Sequence, residues 1–416
     1  MSEDAPPVPL SELTLGELFA EWDVSGRRVP VEGVFEPTFR CNLRCVHCYV
    51  NQPAGSAEEQ ARELGTERSL ALVDEMAEAG CLNLLMTGGE VLLRPDFERL
   101  YLHAIGRGLL VTVFTNGTLV TDRVADLFDR HRPLLVEISL YGMTAATYER
   151  VTGVPGSYER CLAGIRRLHA RGVPLALKTM ALALNRDEVE DMRRFAEELG
   201  VPFRYDGLLN ARVDCGASRE GAQIPPLELL ALELEDPAQR AKLENSAAHV
   251  RELQSVASLS FEQVYTCGAG QVSFTVDPYG QMQMCQLSRK ASFDLAEERF
   301  QTVWDERFGA LRARAWQTDV ACRTCTLQPL CGSCPGAAEL LHGDIEAQVA
   351  HFCEIAHLRA HALLGEESGH RADATCCLGK GALTALPAAT GCGGCGHSEP
   401  KAPTPLLQIE RRRPSA

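Results

Sequence analysis

No apolar run in this sequence approaches the ~20 residues needed to cross a bilayer, so no membrane span is expected. The opening stretch, "MSEDAPPVPL", is acidic and lacks the basic and apolar regions of a signal peptide. The chain therefore reads as cytoplasmic. Cationic residues are also in deficit: 41 Lys and Arg face 56 Asp and Glu, a net charge of −15. That excess of acid speaks against a nucleic-acid surface, which needs a dense basic patch. The locally basic end, "ERRRPSA", reads as a solvated tail, and no fixed-period repeat is present.

What is present points elsewhere. A chain of 416 residues that is 45% hydrophobic can bury a large core, and its length suggests two or three domains. Seventeen cysteines in a reducing compartment are expected to be metal or cluster ligands rather than disulfides.

From Val31 to Leu209 short apolar runs alternate with amphipathic stretches. The runs are "VPVEGVFEP", "CLNLLMT", "LLVTVFT", "LLVEISL", "PLALKTMAL" and "PFRYDGLL". Between them, Tyr158, Cys161, Leu162, Ile165 and Leu168 share one helical face, as do Val189, Met192, Phe195 and Leu199. Pro95, Thr121, Ser157 and Asp187 serve as helix starts, and Gly80, Gly172 and Gly200 as stops. Six βα units predict a parallel sheet covered by helices, a barrel or an open part of one. An acidic helical stretch follows from Pro225 to Leu259, then a cysteine-rich region from Cys267 to Cys353.

"CNLRCVHCY" places Cys41, Cys45 and Cys48 in one compact loop after the first run. Two chemistries fit. His47 could complete a Cys₃His zinc site. Alternatively, the three thiolates hold three corners of a 4Fe–4S cube and leave the fourth iron open. The second run ends in Gly88, Gly89 and Glu90, where glycines allow close backbone approach and a carboxylate can accept from an ammonium group. "FTNGT" and "EISLYG" bring Asn116 and Ser139, short polar groups able to bond a ribose or a carboxylate. All four motifs fall at the C-terminal ends of consecutive strands, where barrel enzymes place their active sites.

The C-x₃-C-x-x-C loop with its neighbours resembles the radical S-adenosylmethionine enzymes over Val31 to Leu209. The resemblance implies an α/β fold, a partial (β/α)₆ TIM-like barrel, with one 4Fe–4S cluster on Cys41, Cys45 and Cys48. S-adenosylmethionine would be held by Gly88, Gly89, Glu90, Asn116 and Ser139, with His47 where the family usually has an aromatic residue near the adenine. It further implies reductive cleavage to methionine and a 5′-deoxyadenosyl radical, fed by a donor such as flavodoxin or ferredoxin.

Downstream, "GQVSFTVDPYGQMQMC" reads as a β-hairpin ending at Cys285, and "CRTCTLQPLCGSC" brings Cys322, Cys325, Cys331 and Cys334, with Cys353 beyond. Two zinc sites are one reading of these thiols. With the upstream barrel, the region resembles a SPASM domain, a C-terminal cysteine-rich α+β Fe–S domain, and "FQTVWDERFGALR" is similar to the helix joining its halves. By position, Cys267, Cys285 and Cys334 would hold a first auxiliary 4Fe–4S cluster; Cys322, Cys325, Cys331 and Cys353 would hold a second. The Cys331–Cys334 gap is one residue shorter than usual. Cys215 is a candidate fourth ligand for the first cluster, though a lone cysteine reads first as a small buried hydrophobe, as do Cys81 and Cys161. Cys376, Cys377, Cys392, Cys395 and His397 lie in a Gly-, Ala- and Pro-rich tail.

The expected domains are an extension over 1–30, a barrel over 31–235, the SPASM domain over 236–365, and a disordered tail over 366–416. The resemblance implies oxidative modification of a ribosomally made peptide or a protein, with a separate leader-binding partner, since only a short segment precedes the barrel. Tetrapyrrole side-chain modification is the alternative. Sulfatase-type maturation is weakened because Gln286 stands where those members carry Asp, and a non-catalytic Fe–S electron carrier would need no cofactor pocket.

Overall fold

The computed structural model describes residues 28–50, 52–213, 222–256, 258–332 and 334–365. Cys215 and the cysteines of the tail lie outside them. The chain forms two units: one of residues up to 224 together with 263–315, the other of 225–262 together with residues from 316.

The first unit is built on β1 (Glu32–Thr38), β2 (Asn83–Gly88), β3 (Leu110–Thr115), β4 (Leu135–Ser139), β5 (Leu175–Met180) and β6 (Phe203–Asp206). All five pairings between them are parallel and follow chain order. These are the six expected strands, in a (β/α)₆ arrangement open at β6. The intervening helices are α1 (Thr66–Glu78), α2 (Phe97–Gly106), α3 (Asp122–Arg130), α4 (Ala145–Thr152), α5 (Ser157–Ala170) and α6 (Val189–Glu198). Local chemistry sets their ends. Thr121 caps α3 by accepting from the Val124 amide, and Gly80, Gly172 and Gly200 take the left-handed conformation just beyond α1, α5 and α6. On α5, Cys161, Leu162, Ile165 and Leu168 are buried as their spacing predicts, and Cys81 is likewise core.

Three further strands extend the sheet beyond β1: β7 (Ser273–Val276), β8 (Gln281–Gln283) and β9 (Ser292–Asp294). β7 pairs parallel with β1, from Glu32↔Ser273 to Phe35↔Val276, and β8 folds back through the "DPYG" turn. Residues 300–312 are helical, and the buried rings of Phe300 and Trp304 pack against Phe274 of β7. The segment expected to begin a separate domain at 236 is therefore shared between the units. Its hairpin completes the sheet of the first because β1 would otherwise be an unpaired edge.

The pleat separates two faces. Phe35, Met86, Val113, Val136 and Ile138 are 0–1% exposed and share the helix-covered face. Alternate positions on the other face carry Glu36, Thr87, Glu137, Lys178 and Arg204. A parallel sheet buried on both faces is ordinarily apolar on both. The polar face is accordingly not a second apolar core.

The second unit packs α7 (Pro226–Glu235), α8 (Pro237–Gln254), α9 (Pro335–His342) and α10 (Ala350–Leu364). Leu243, Ala247 and Val250 of α8 meet Ala356, Ala360 and Leu364 of α10 over Leu327 and Leu330. The buried Arg359 donates to Glu233 through Nε at 2.9 Å and through a second nitrogen, tying α10 to α7. Among the described residues, no helix is long and apolar enough to cross a membrane.

Candidate functional site

The loop leaving β1 carries Cys41, Cys45 and Cys48, all half-buried. A buried ionic cluster anchors its base. Arg40 forks onto Glu63 through Nε at 2.8 Å and Nη2 at 2.9 Å, and Thr38 donates to the same carboxylate. Further along, the Arg44 amide donates to Thr152 O (2.8 Å) and the Val46 amide to Val151 O (3.0 Å), seating the loop on the end of α4. The three thiols are near enough to act on one another electrostatically. Burial first, then the Glu90 carboxylate, pushes the Cys41 thiol up to about 12, and burial raises Cys45 as well. Thiolate ligation there calls for a positively charged partner. His47 is buried, its ring edge-on to Tyr141 at 4.8 Å. Among the described residues, no three His, Cys, Asp or Glu side chains are grouped as a single metal ion requires.

Gly88 and Gly89 do approach something closely, and it is the chain itself. A Cβ on Gly88, where φ is 120°, would lie 2.3 Å from Thr38 O; one on Gly89 would lie 2.3 Å from Arg40 O. The Gly89 amide donates to Thr38 O (2.8 Å) and the Glu90 amide to Arg40 O (2.9 Å). Only glycine lets the end of β2 lie this close against the residues leading into Cys41.

Glu90, expected to face a pocket, is fully buried and already engaged. Its Oε1 accepts from Leu92 N (3.1 Å) and Thr115 Oγ1 (2.8 Å), and its Oε2 from Asn116 N (2.8 Å). Burial raises its pKa, against the pull of those three donors. Asn116 is committed to the same scaffold. Its Nδ2 donates to Asn42 Oδ1 (2.9 Å) and lies 3.8 Å from Cys41 Sγ, while its Oδ1 accepts from Thr118 N (2.9 Å). Ser139 is half-buried at the end of β4 and hydrogen-bonds Tyr141. The strand ends thus bring the expected residues together, but Glu90 and Asn116 brace the cysteine loop.

The sequence reading missed a second network. Glu36, with no exposure, accepts from Tyr49 Oη (2.9 Å), Gln286 Nε2 (3.0 Å) and Arg289 Nη2 (2.8 Å). Gln286 also donates to Tyr49 Oη at 2.7 Å. Tyr49 follows Cys48 and Gln286 follows Cys285, so one carboxylate ties two cysteine-bearing loops. A charged residue inside an apolar strand, as in "GVFEPT", was the available signal.

Of the downstream cysteines, Cys267 is exposed and Cys285 half-buried, both in the first unit. Cys334, grouped with them by sequence, belongs to the second unit and caps α9, its Sγ accepting from Ala337 N at 3.3 Å. Cys322, Cys325, Cys331 and Cys353 all lie in the second unit. Cys325 and Cys331 pack on its core, and Cys331 Sγ is 3.7 Å from the carbonyl of Phe352, next to Cys353.

Comparison with known proteins adds the family. Residues 35–198 match the model of the radical SAM superfamily. The chain is 26% identical over 329 residues to the AdoMet-dependent heme synthase of Methanosarcina barkeri, covering 74% of this chain and 92% of that protein. It is 26% identical over 322 residues to the mycofactocin maturase MftC of Mycobacterium tuberculosis, covering 75% and 80%. Among solved structures, Streptococcus suis SuiB bound to S-adenosylmethionine superimposes with a TM-score of 0.57 at 16% identity, over 80% of this chain and 78% of that one. Native anSMEcpe with bound AdoMet gives 0.58 at 14%, over 82% and 98%. The cysteine loop braced at the head of an open parallel sheet, the matched family model and the shared fold together identify the chain as a member of the radical SAM superfamily, an enzyme related to the SPASM-type maturases.

Proposed function

We propose that this enzyme uses S-adenosylmethionine and a 4Fe–4S cluster on Cys41, Cys45 and Cys48 to modify a peptide or protein oxidatively. The observation that carries the reading is the bracing of a three-thiol loop by Gly88, Gly89, Glu90 and Asn116 at the rim of the polar sheet face. The residues present fit such a group: three sulfur donors on one half-buried loop, as a cube with one open iron requires. Cluster and cofactor, when bound, supply one-electron cleavage of the sulfonium bond. This chain's residues orient and enclose. Gly88 to Glu90 would meet the cofactor through backbone groups, Ser139 would bond its polar part, and His47 against Tyr141 would wall the site.

Cys322, Cys325, Cys331 and Cys353 would hold one auxiliary 4Fe–4S cluster, and Cys267 and Cys285 would serve another, suiting a net oxidation. As family segments, 31–235 would be the barrel domain and 236–365 the SPASM domain, boundaries that do not coincide with the two compact units. A flavodoxin or ferredoxin would supply the electron, and a separate protein would bind a substrate leader. Peptide substrates are supported by MftC, named a maturase, and by SuiB, solved with its precursor peptide SuiA. A tetrapyrrole substrate is the second reading, favoured by the 92% coverage of the heme synthase. The deciding experiment is anaerobic turnover with dithionite and S-adenosylmethionine, following 5′-deoxyadenosine and the mass of candidate precursor peptides encoded nearby. No 5′-deoxyadenosine from fully reconstituted protein would overturn the reading.

A further inference from the structure

We propose that residues 15–24 of this chain dock as an amphipathic helix on Leu82, Leu110 and Leu134, along the rim formed by the strand starts. That rim is the end of the sheet away from the cysteine loop, and the inference does not depend on the reaction.

Among the described residues six large apolar side chains are exposed, and three of them stand on this rim: Leu82 at 38%, Leu110 at 41% and Leu134 at 42%. They are neighbours across the sheet. The Leu110 amide donates to Leu82 O (2.8 Å), and the Leu134 amide to Val111 O (2.8 Å). Leu82 lies just before β2, Leu110 opens β3 and Leu134 lies just before β4. Leu110 is in register with Asn83, and Leu135 with Thr112, so the three leucines alternate across the pleat and line an edge. Single exposed apolar residues need no explanation, but a contiguous row does.

The path of the chain names the occupant. Arg28 is pinned by donating to Gly270 O (3.0 Å) and Asp305 O (2.8 Å), and the Val29 amide donates to Gln271 O (3.2 Å). The Val29 side chain lies 3.6 Å from where a Cβ on Gly80 would stand, two residues before Leu82. The sequence preceding Arg28 therefore joins the unit beside the first leucine of the row.

Residues 1–27 lie outside the described ones, and their sequence supplies the matching surface. Leu15, Leu18, Phe19 and Trp22 recur at helical spacing, and "TLGE", Thr14 to Glu17, reads as a capping box at the start. From Leu15 to Trp22 a helix advances about 10 Å. From Leu82 to Leu134 the rim also advances about 10 Å, over two strand spacings. Ser25, Gly26 and Arg27 join the two, with a reach of about 10 Å. The entry point sets the direction: Trp22 covers Leu82, Leu18 and Phe19 cover Leu110, and Leu15 covers Leu134. A helix this short is marginal alone and takes its order from an apolar surface. A second copy of the chain fits poorly, because the row offers roughly 200 Å², about a quarter of one partner's share of an ordinary interface. A tethered segment needs no more, since a short linker holds it at millimolar effective concentration.

Hydrogen exchange on the full-length protein, read by peptide mass spectrometry at a low and a high protein concentration, tests the docking. Amides of residues 18–24 should exchange at least about tenfold more slowly than in an unstructured chain, equally at both concentrations. Leu110→Asp and Leu134→Asp, at exposed positions, should each remove the protection. Phe19→Asp should remove it from the other side of the contact, and this variant stands even where a rim variant fails to fold. Trp22→Phe should keep most of it. Unprotected amides in the wild type would overturn the proposal. So would protection that survives both rim variants, which would seat the segment elsewhere. Protection that appears only at the high concentration, with a doubled mass by light scattering, would assign the rim to a second copy and equally overturn it.

Discussion

The Glu90 carboxylate and the Asn116 backbone amide meet at 2.8 Å, joining the end of β2 to the end of β3. Asn116 continues the link through its side chain to Asn42, within the cysteine loop. Two strand ends and the thiol loop are therefore one hydrogen-bonded piece, with a fully buried carboxylate at its centre.

Replacing that carboxylate should damage the fold as well as the chemistry. Glu90 is acceptor-only and receives three donors; Glu90→Gln turns an amide NH₂ toward at least one of them. A buried donor left facing a donor costs about 1–3 kcal/mol. We expect a lower denaturation midpoint and reduced iron retention on the cysteine loop. Calorimetric unfolding and iron analysis check this, and wild-type values for both would show that Glu90 is not the brace described.

Removing the thiols should separate chemistry from the rest of the chain. Cys41→Ala, Cys45→Ala or Cys48→Ala is expected to abolish 5′-deoxyadenosine release while iron stays on the second unit's cysteines. About twelve irons are expected in the wild type, from three 4Fe–4S cubes, and about eight in a triple variant. Four irons accompanied by zinc would favour zinc sites at the downstream cysteines.

How much of this was legible in the sequence follows from the kind of interaction involved. The six strands were readable because each is a short apolar run followed by an amphipathic stretch, and Thr121, Gly80, Gly172 and Gly200 act through chemistry within a turn of their own position. The cysteine loop was readable because its spacing is local. The three donors to Glu90 were not legible, because they come from the end of β3, the residue after it and the turn after β2, and only the fold brings them together. Pairing of β7 with β1 was likewise hidden, since a strand does not advertise which distant edge it will complete. Glu36, Glu137, Lys178 and Arg204 each left one trace, a charged residue inside an apolar run. Such a residue reads as an interruption until its neighbours across the sheet are known.

The Glu36–Arg289 pair should behave as a buried ion pair bridging two loops. Arg289→Met leaves a carboxylate with no exposure facing only Tyr49 and Gln286, and removing one partner of such a pair costs about 3–5 kcal/mol. The double variant Glu36→Gln/Arg289→Met removes the stranded charge and should recover part of that loss. Chemical denaturation of the three proteins checks this. A double variant no more stable than Arg289→Met alone would show that the charge pair is not what holds the loops.

Lys178 should make stability depend on pH in a definite direction. Burial pulls its ammonium from an ordinary 10.5 down to about 7, despite the opposing attraction of Glu137. Between those values the unfolded chain holds the proton and the folded chain releases it. The unfolded state thus binds more protons, and stability from this group rises with pH across roughly 7 to 10.5. The slope is at most about 1.4 kcal/mol per pH unit, the free energy of one proton over a tenfold change. Lys178→Met removes the titration. Its denaturation midpoint relative to wild type should be most favourable at pH 6, where the wild type carries a buried charge, and should fall behind as pH is raised from 7 to 9. Glu137 and Arg204 keep their charges over that range, so the difference isolates Lys178. A constant difference from pH 6 to 9 would mean that Lys178 titrates at its ordinary value and is not held in a site that penalises its charge.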